Sequence, residues 1–180
     1  LEGVQVRLKD IGRFRGVRPN SIMGVGVVFG LQGTGDTRRN PQVARAISNY
    51  LRSIGQDVDA ALIEPRNGAL VMVTAELPPF ATNGQPIDIT VSSIGDATNL
   101  RGGVLLRTEL YATGDNETIY AVAQGNVSIG SVGAQAGGNT NTVGFLTAGR
   151  IPGGALVERG APTRLVYDGF MYLDLYDPDF

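Results

Sequence analysis

The sequence of 180 residues contains no cysteine, no histidine and no tryptophan. Without thiol or imidazole there is no disulfide framework, no thiolate or imidazole zinc site and no thiol nucleophile. A Ser-His-Asp or Cys-His relay is excluded on the same ground. Charge is scarce: 18% of residues are charged, the formal net charge is −2, and Lys9 is the one lysine beside fourteen arginines. A nucleic-acid binder shows a basic excess or a basic stripe, and neither is present. Long hydrophobic runs are missing too. The longest mostly apolar stretch, IMGVGVVFGL (22–31), is interrupted by Gly24, Gly26 and Gly30 and is far short of a membrane helix. No segment has the pattern of a signal peptide, which a mature exported protein would already have lost.

Glycine is abundant, with 26 residues, about twice the usual share. Helical periodicity stands out once. Val43, Ile47, Tyr50, Leu51 and Ile54 form an apolar stripe, Asn40 suits the N-cap, Pro41 the first turn and Gly55 the C-terminus. Arg45 and Arg52 lie off that stripe, toward solvent.

Elsewhere the period is two. Ile87, Ile89 and Val91 alternate with Asp88, Thr90 and Ser92. Val104, Leu106, Thr108 and Leu110 alternate with Leu105, Arg107 and Glu109. Ile119, Ala121 and Ala123 share one side, and Met171, Leu173 and Leu175 oppose Phe170, Tyr172, Asp174 and Tyr176. GALVMVTAEL (68–77) begins apolar on both faces, as in a central strand. Turn signals stand at Pro78-Pro79, Asn83-Gly84, Gly102-Gly103, Gly114-Asp115 and Gly153-Gly154. The expected fold is α+β: β-rich, mostly antiparallel strands, one amphipathic helix at about 41–54 and a long Gly-rich loop at about 130–149. Residues 1–180 read as a single β-rich region, with room for a minor subdivision near 56–66.

Gly30 to Thr37 reads G-x-x-x-x-G-D-T, a P-loop pattern with Asp36 in place of the lysine that neutralises phosphate. The dinucleotide fingerprint fails as well, because Phe29 occupies the third glycine position after Gly24 and Gly26. These glycines read instead as close backbone approach and turns. Asp57/Asp59 and Asp174/Asp177/Asp179 are carboxylate clusters without calcium-loop spacing, better read as solvated turns than as a catalytic pair. Asn116-Glu117-Thr118 and Asn126-Val127-Ser128 match the glycosylation triplet, which recurs by chance. Phe170, Tyr172 and Tyr176 could face a sugar or protein, or pack under a neighbouring loop.

Longer strings are more specific. VRLKDIGRFRGVR (6–18), IMGVGVVFGLQGTGDT (22–37), VTAELPPF (73–80), IDITVSSIGDATNLRGG (87–103), AVAQGNV (121–127) and GRIPGGALVER (149–159) occur in order over nearly the whole chain. Together they resemble the bacterial flagellar basal-body P-ring protein family. The resemblance implies the N-terminal part of a longer mature chain, exported to the periplasm by a cleaved signal peptide. It implies a non-enzymatic structural subunit without cofactor or metal, assembling with copies of itself into a closed ring that serves the rotating rod as a bushing. The implied partners are the flagellar distal rod, the outer-membrane L-ring protein, a periplasmic P-ring chaperone and, as a further contact, peptidoglycan. Exposed strand edges and Gly-rich loops would suit ring interfaces. The alternatives are a peptidoglycan-binding module and a carboxylate-based wall hydrolase, the latter needing two carboxylates ~5–9 Å apart in a cleft.

The family motifs place the turn and loop residues at Gly24, Gly26, Gly30, Gly33, Gly35, Asp36, Pro78, Pro79, Gly95, Asp96, Gly102 and Gly103. Many relatives carry lysine where Thr98 stands, and lysine before the strand that here follows Arg66-Asn67. If basic residues face an acidic rod or a neighbouring subunit, the candidates are Arg66, with Lys9, Arg101 and Arg107 compensating at Thr98. Solvated surface charge is an equally good reading of each.

Overall fold

The structure, a computed structural model, describes residues 7–37, 39, 41–129, 146–161 and 165–177. A single helical turn, α1 (Leu8–Ile11), and a short strand, β1 (Gly12–Phe14), precede six longer strands. These are β2 (Asn20–Phe29), β3 (Gly68–Leu77), β4 (Pro86–Ser93), β5 (Val104–Ala112), β6 (Ile119–Asn126) and β7 (Ala148–Val157). They pair in the order β2-β3-β4-β7-β6-β5, and β5 returns to β2 to close a barrel in which every pair is antiparallel. The β-rich, antiparallel expectation is met, while closure was not legible. A closed barrel has no edges, so the exposed strand edges expected for ring contacts are absent from it.

Alternation fills the interior. Val71, Val73, Ala75 and Leu77 of β3 meet Ile87, Ile89 and Val91 of β4, and Ala121 and Ala123 of β6 point inward as their spacing predicts. A narrow barrel has room for branched and small side chains, hence the alanines on β3, β6 and β7. The face assigned to β5 needs correcting. Its ladder with β6 shifts register between Leu105 and Thr108, so Leu105 points inward with Thr108 and Leu110, and Leu106 turns outward. A bulge inserts a residue and exchanges the two faces. Gly153-Gly154 is not an inter-strand turn either. It lies inside β7, where Ile87 pairs with Ala155 but Ile89 with Ile151, so that Pro152, Gly153 and Gly154 stand opposite Asp88 alone in a bulge.

Gly24 and Gly26 lie on the inward side of β2 between Ile22 and Val28. A Cβ on Gly24 would overlap the carbonyl oxygen of Glu109, and one on Gly26 the hydroxyl of Thr108. These glycines let β5 cross β2 closely enough to close the barrel.

The predicted helix is α2 (Pro41–Ser53). Val43 and Ile47 pack with Val27 of β2, beside Leu70 and Leu106, in a second core outside the barrel wall. Asn40, the expected N-cap, lies outside the described residues. At the other end Gly55 has φ +83, and the N–H of Gln56 donates to the Leu51 carbonyl at 2.8 Å, a Schellman closure. The helix therefore stops at Ser53, leaving Ile54, placed in the stripe by its spacing, exposed. Arg45 and Arg52 face solvent as expected.

Of the long loop expected at about 130–149, residues 130–145 lie outside the described residues, and its last positions belong to β7, which starts at Ala148. Beyond the barrel, β8 (Leu173–Leu175) pairs antiparallel with β1 in a separate two-stranded ribbon. The strand expected from Phe170 to Tyr176 is shortened to this ladder.

Candidate functional site

Three family segments meet at one mouth of the barrel, where β2 ends and β3 and β5 begin. Residues 30–37 leave β2 and fold back on the 3₁₀ turn Pro65–Asn67: Gly30 and Leu31 donate to the Asn67 carbonyl at 2.8 and 3.0 Å, and Gly35 donates to Arg66 at 2.7 Å. Asp36 donates its own N–H to the Gly68 carbonyl at 2.7 Å. Gly35 is required there because a Cβ would overlap the Gly68 carbonyl. The third segment, 94–103, crosses the other side of this loop.

Asp36 is at the centre, fully buried. Its carboxylate accepts from the N–H of Leu70 at 2.9 Å and of Ala97 at 2.8 Å, tying β3 to the 94–103 segment. A buried carboxylate is tolerable when charge-assisted hydrogen bonds replace water. Gly95 leaves it room, since a Cβ there would overlap both carboxylate oxygens. The acid that spoils the P-loop pattern is thus a structural pin.

Asp96 braces the same loop from outside. Its carboxylate accepts from the N–H and hydroxyl of Thr37 at 2.8 and 2.5 Å. These bonds, the hydroxyl's foremost, hold its pKa below the usual aspartate range. The Thr34 hydroxyl lies 2.8 Å from the carbonyl oxygens of both Leu31 and Asn99 and shares its one proton between them. The Thr34 carbonyl accepts from the N–H of Thr98 at 2.9 Å.

Of the five candidate contact residues, the mouth gathers two against one loop. Arg66 is exposed and donates through Nε to the Gly33 carbonyl at 3.0 Å, and Thr98 is exposed beside Thr34. Arg101 sits in the turn that follows, its N–H donating to Asn99 Oδ1 at 2.8 Å, next to Gly102 at φ +77. Gly103 fits beneath this turn because a Cβ would overlap Val28. Lys9 and Arg107 lie elsewhere, Lys9 on α1 and Arg107 on the outer face of β5. Arg107 lines a groove of about 400 Å³ with Tyr50 and Ser53 of α2, where the Tyr111 hydroxyl donates to Glu109 at 2.7 Å. Pro78 and Pro79 follow the end of β3 at the opposite mouth.

Sequence reasoning missed Thr34 and Thr37, whose side chains lock the loops. Their only signal was position within the GTGDT string. In the acidic clusters Asp59 accepts from the N–H of Ala61 at 2.9 Å and Asp174 pairs with Arg15 at 2.7 Å, while Asp179 lies outside the described residues. No group of three His, Cys, Asp or Glu capable of holding a metal occurs among the described residues. No helix among them is long and apolar enough to cross a membrane.

Residues 7–180 match the family described as "Flagellar P-ring protein". The chain is 48% identical over 178 residues to the flagellar P-ring protein of Dechloromonas aromatica, covering 97% of this chain and 48% of that protein. It is 47% identical over 176 residues to that of Bordetella avium, covering 97% and 46%. With flagellar P-ring protein 1 of Hahella chejuensis the identity is 48% over 181 residues, covering 100% and 48%. The chain therefore spans about half the length of the curated relatives it matches.

Proposed function

Because the chain belongs to the flagellar P-ring protein family, we propose that it is a structural subunit of the basal-body P ring and performs no catalysis. In this reading the full-length protein assembles with copies of itself into a closed ring around the distal rod, in the periplasm at the peptidoglycan layer. The L-ring protein lies next to it, and a periplasmic chaperone assists assembly after export by a cleaved signal peptide.

The single observation that carries the reading is the family match across residues 7–180, with the shared strings at the Asp36 mouth. The geometry there supports it. Buried and bridging acids accept from backbone N–H groups in a rigid knot and do not converge on open space. A closed barrel resists shear because no strand can peel from an edge. A ring needs heterologous contacts that close on themselves, and here side chains and loops supply them. Arg66 is the first candidate, exposed on a loop fixed by its own bond to Gly33.

Electron microscopy of the full-length protein assembled with rods tests the reading. The expected result is ring density around the rod with wild type, weakened for Arg66→Glu and retained for Arg66→Lys, each variant unfolding at an unchanged midpoint. A wild-type full-length protein that stays monomeric beside rods and chaperone would overturn it.

A further inference from the structure

With the barrel closed, the ribbon formed by β1 and β8 holds the free strand edges among the described residues. Its hydrogen-bond phase is readable. Arg15 donates to the Tyr172 carbonyl at 2.9 Å and Tyr176 to the Ile11 carbonyl at 3.0 Å. Antiparallel alternation then makes Arg13 and Asp174 the bonded pair between them and turns the N–H groups of Leu173 and Leu175 outward.

The two edges are not equivalent. On β1 half of the outward groups are already used: the N–H of Gly12 donates to the Leu8 carbonyl, and the Phe14 carbonyl accepts from Val17 at 3.3 Å. On β8 the outward N–H groups of Leu173 and Leu175 have no partner among the described residues. Around them the ribbon exposes large apolar side chains, with Phe170 at 66%, Met171 at 61% and Tyr176 at 63% of full exposure. A lone two-stranded ribbon is marginal in water, and three strands or a packed face are needed for stability. Natural edges are blunted by shortness, charge, proline or a bulge; Leu173-Asp174-Leu175 is short but has no lysine, proline or bulge, and its one charge, Asp174, is paired with Arg15.

We propose that β8 is an internal strand of the full-length protein: a strand from the half of the family's length that this chain does not span pairs with its outer edge and covers Phe170 and Met171. The occupant follows from that missing length. An intramolecular strand is held at high effective concentration, an advantage that a second copy in dilute solution lacks. The inference rests on family membership and is independent of the ring reading.

Hydrogen exchange on the full-length protein, kept monomeric, tests it. The expected result is that the amides of Leu173 and Leu175 exchange as slowly as those of Asp174 and Tyr176, independent of protein concentration. Asp174 and Tyr176 serve as the reference because the ribbon itself protects them. Free exchange at Leu173 and Leu175 beside slow exchange at Tyr176 would overturn the proposal. Protection that arises only as concentration increases would overturn it as well, by assigning the edge to a second copy.

Discussion

Gly95 and Asp36 occupy one another's space: the carboxylate of Asp36 fills the volume that a side chain at position 95 would take. The pairing spans 59 positions in sequence yet joins two strings, GTGDT and IGDATN, that carry the family resemblance. Gly95→Ala is expected to lower stability by about 1–3 kcal/mol through overpacking. Asp36→Ala leaves the N–H groups of Leu70 and Ala97 without their acceptor, at about 1–3 kcal/mol for each buried donor. Urea unfolding measures both, and an unchanged midpoint for Asp36→Ala would contradict the pin.

Two glycines should fail for different reasons. Gly24→Ala drives a methyl group into the Glu109 carbonyl across the barrel seam, and a backbone atom cannot swing aside, so the loss exceeds about 2 kcal/mol. Gly33→Ala meets nothing within 4 Å but must hold φ +93, so about 1–2 kcal/mol of backbone strain is expected. Thermal melts separate the two by size, and equal losses would argue against the crowded seam.

The second core is tested on α2. Ile47→Ala should cost about 2–5 kcal/mol, because Ile47 is buried against Val27 and Val43. Ile54→Ala should fall within about 0.5 kcal/mol, because the helix has ended before it. Denaturation midpoints check the pair, and similar losses would mean that Ile54 is covered.

Acid should loosen the knot. Hydrogen bonds from Thr37 lower the pKa of Asp96, those from the Thr118 and Glu117 N–H groups lower that of Asp115, and the bond from Arg15 lowers that of Asp174. A carboxyl whose folded pKa is depressed contributes stability above its unfolded pKa of about 3.9, and loses it as pH falls through the folded value. Stability attributable to these groups should be flat from neutrality to about pH 5 and decline below about pH 4. Asp96→Asn should flatten part of that decline, as followed by melts across the range. A slope unchanged by Asp96→Asn would remove Asp96 from the account.

Periodicity and turn chemistry are local properties, and where neither a bulge nor a helix end intervened, the reading held. The stripe from Val43 to Leu51 and the closure at Gly55 need only 3.6 residues per turn and a left-handed glycine. The alternation at 87–91 needs only a pleat. Lone glycines and acids were ambiguous, because Gly24, Gly95 and Asp36 have the same local meaning whether they cradle a phosphate or make room for a backbone. What chose between those meanings was the neighbour supplied from far along the chain: the Glu109 carbonyl across Gly24, the Asp36 carboxylate under Gly95, and the N–H groups of Leu70 and Ala97 around that carboxylate.

Composition alone excluded thiol and imidazole chemistry, and the ordered strings alone carried the family. Barrel closure, the face exchange in β5 and the outward edge of β8 depend on register between distant strands. A one-residue bulge reverses every side chain beyond it, and whether an edge is free depends on which strand arrives beside it. Those outcomes are set by three-dimensional packing, where steric overlap and hydrogen-bond satisfaction are decided between residues that are far apart in sequence.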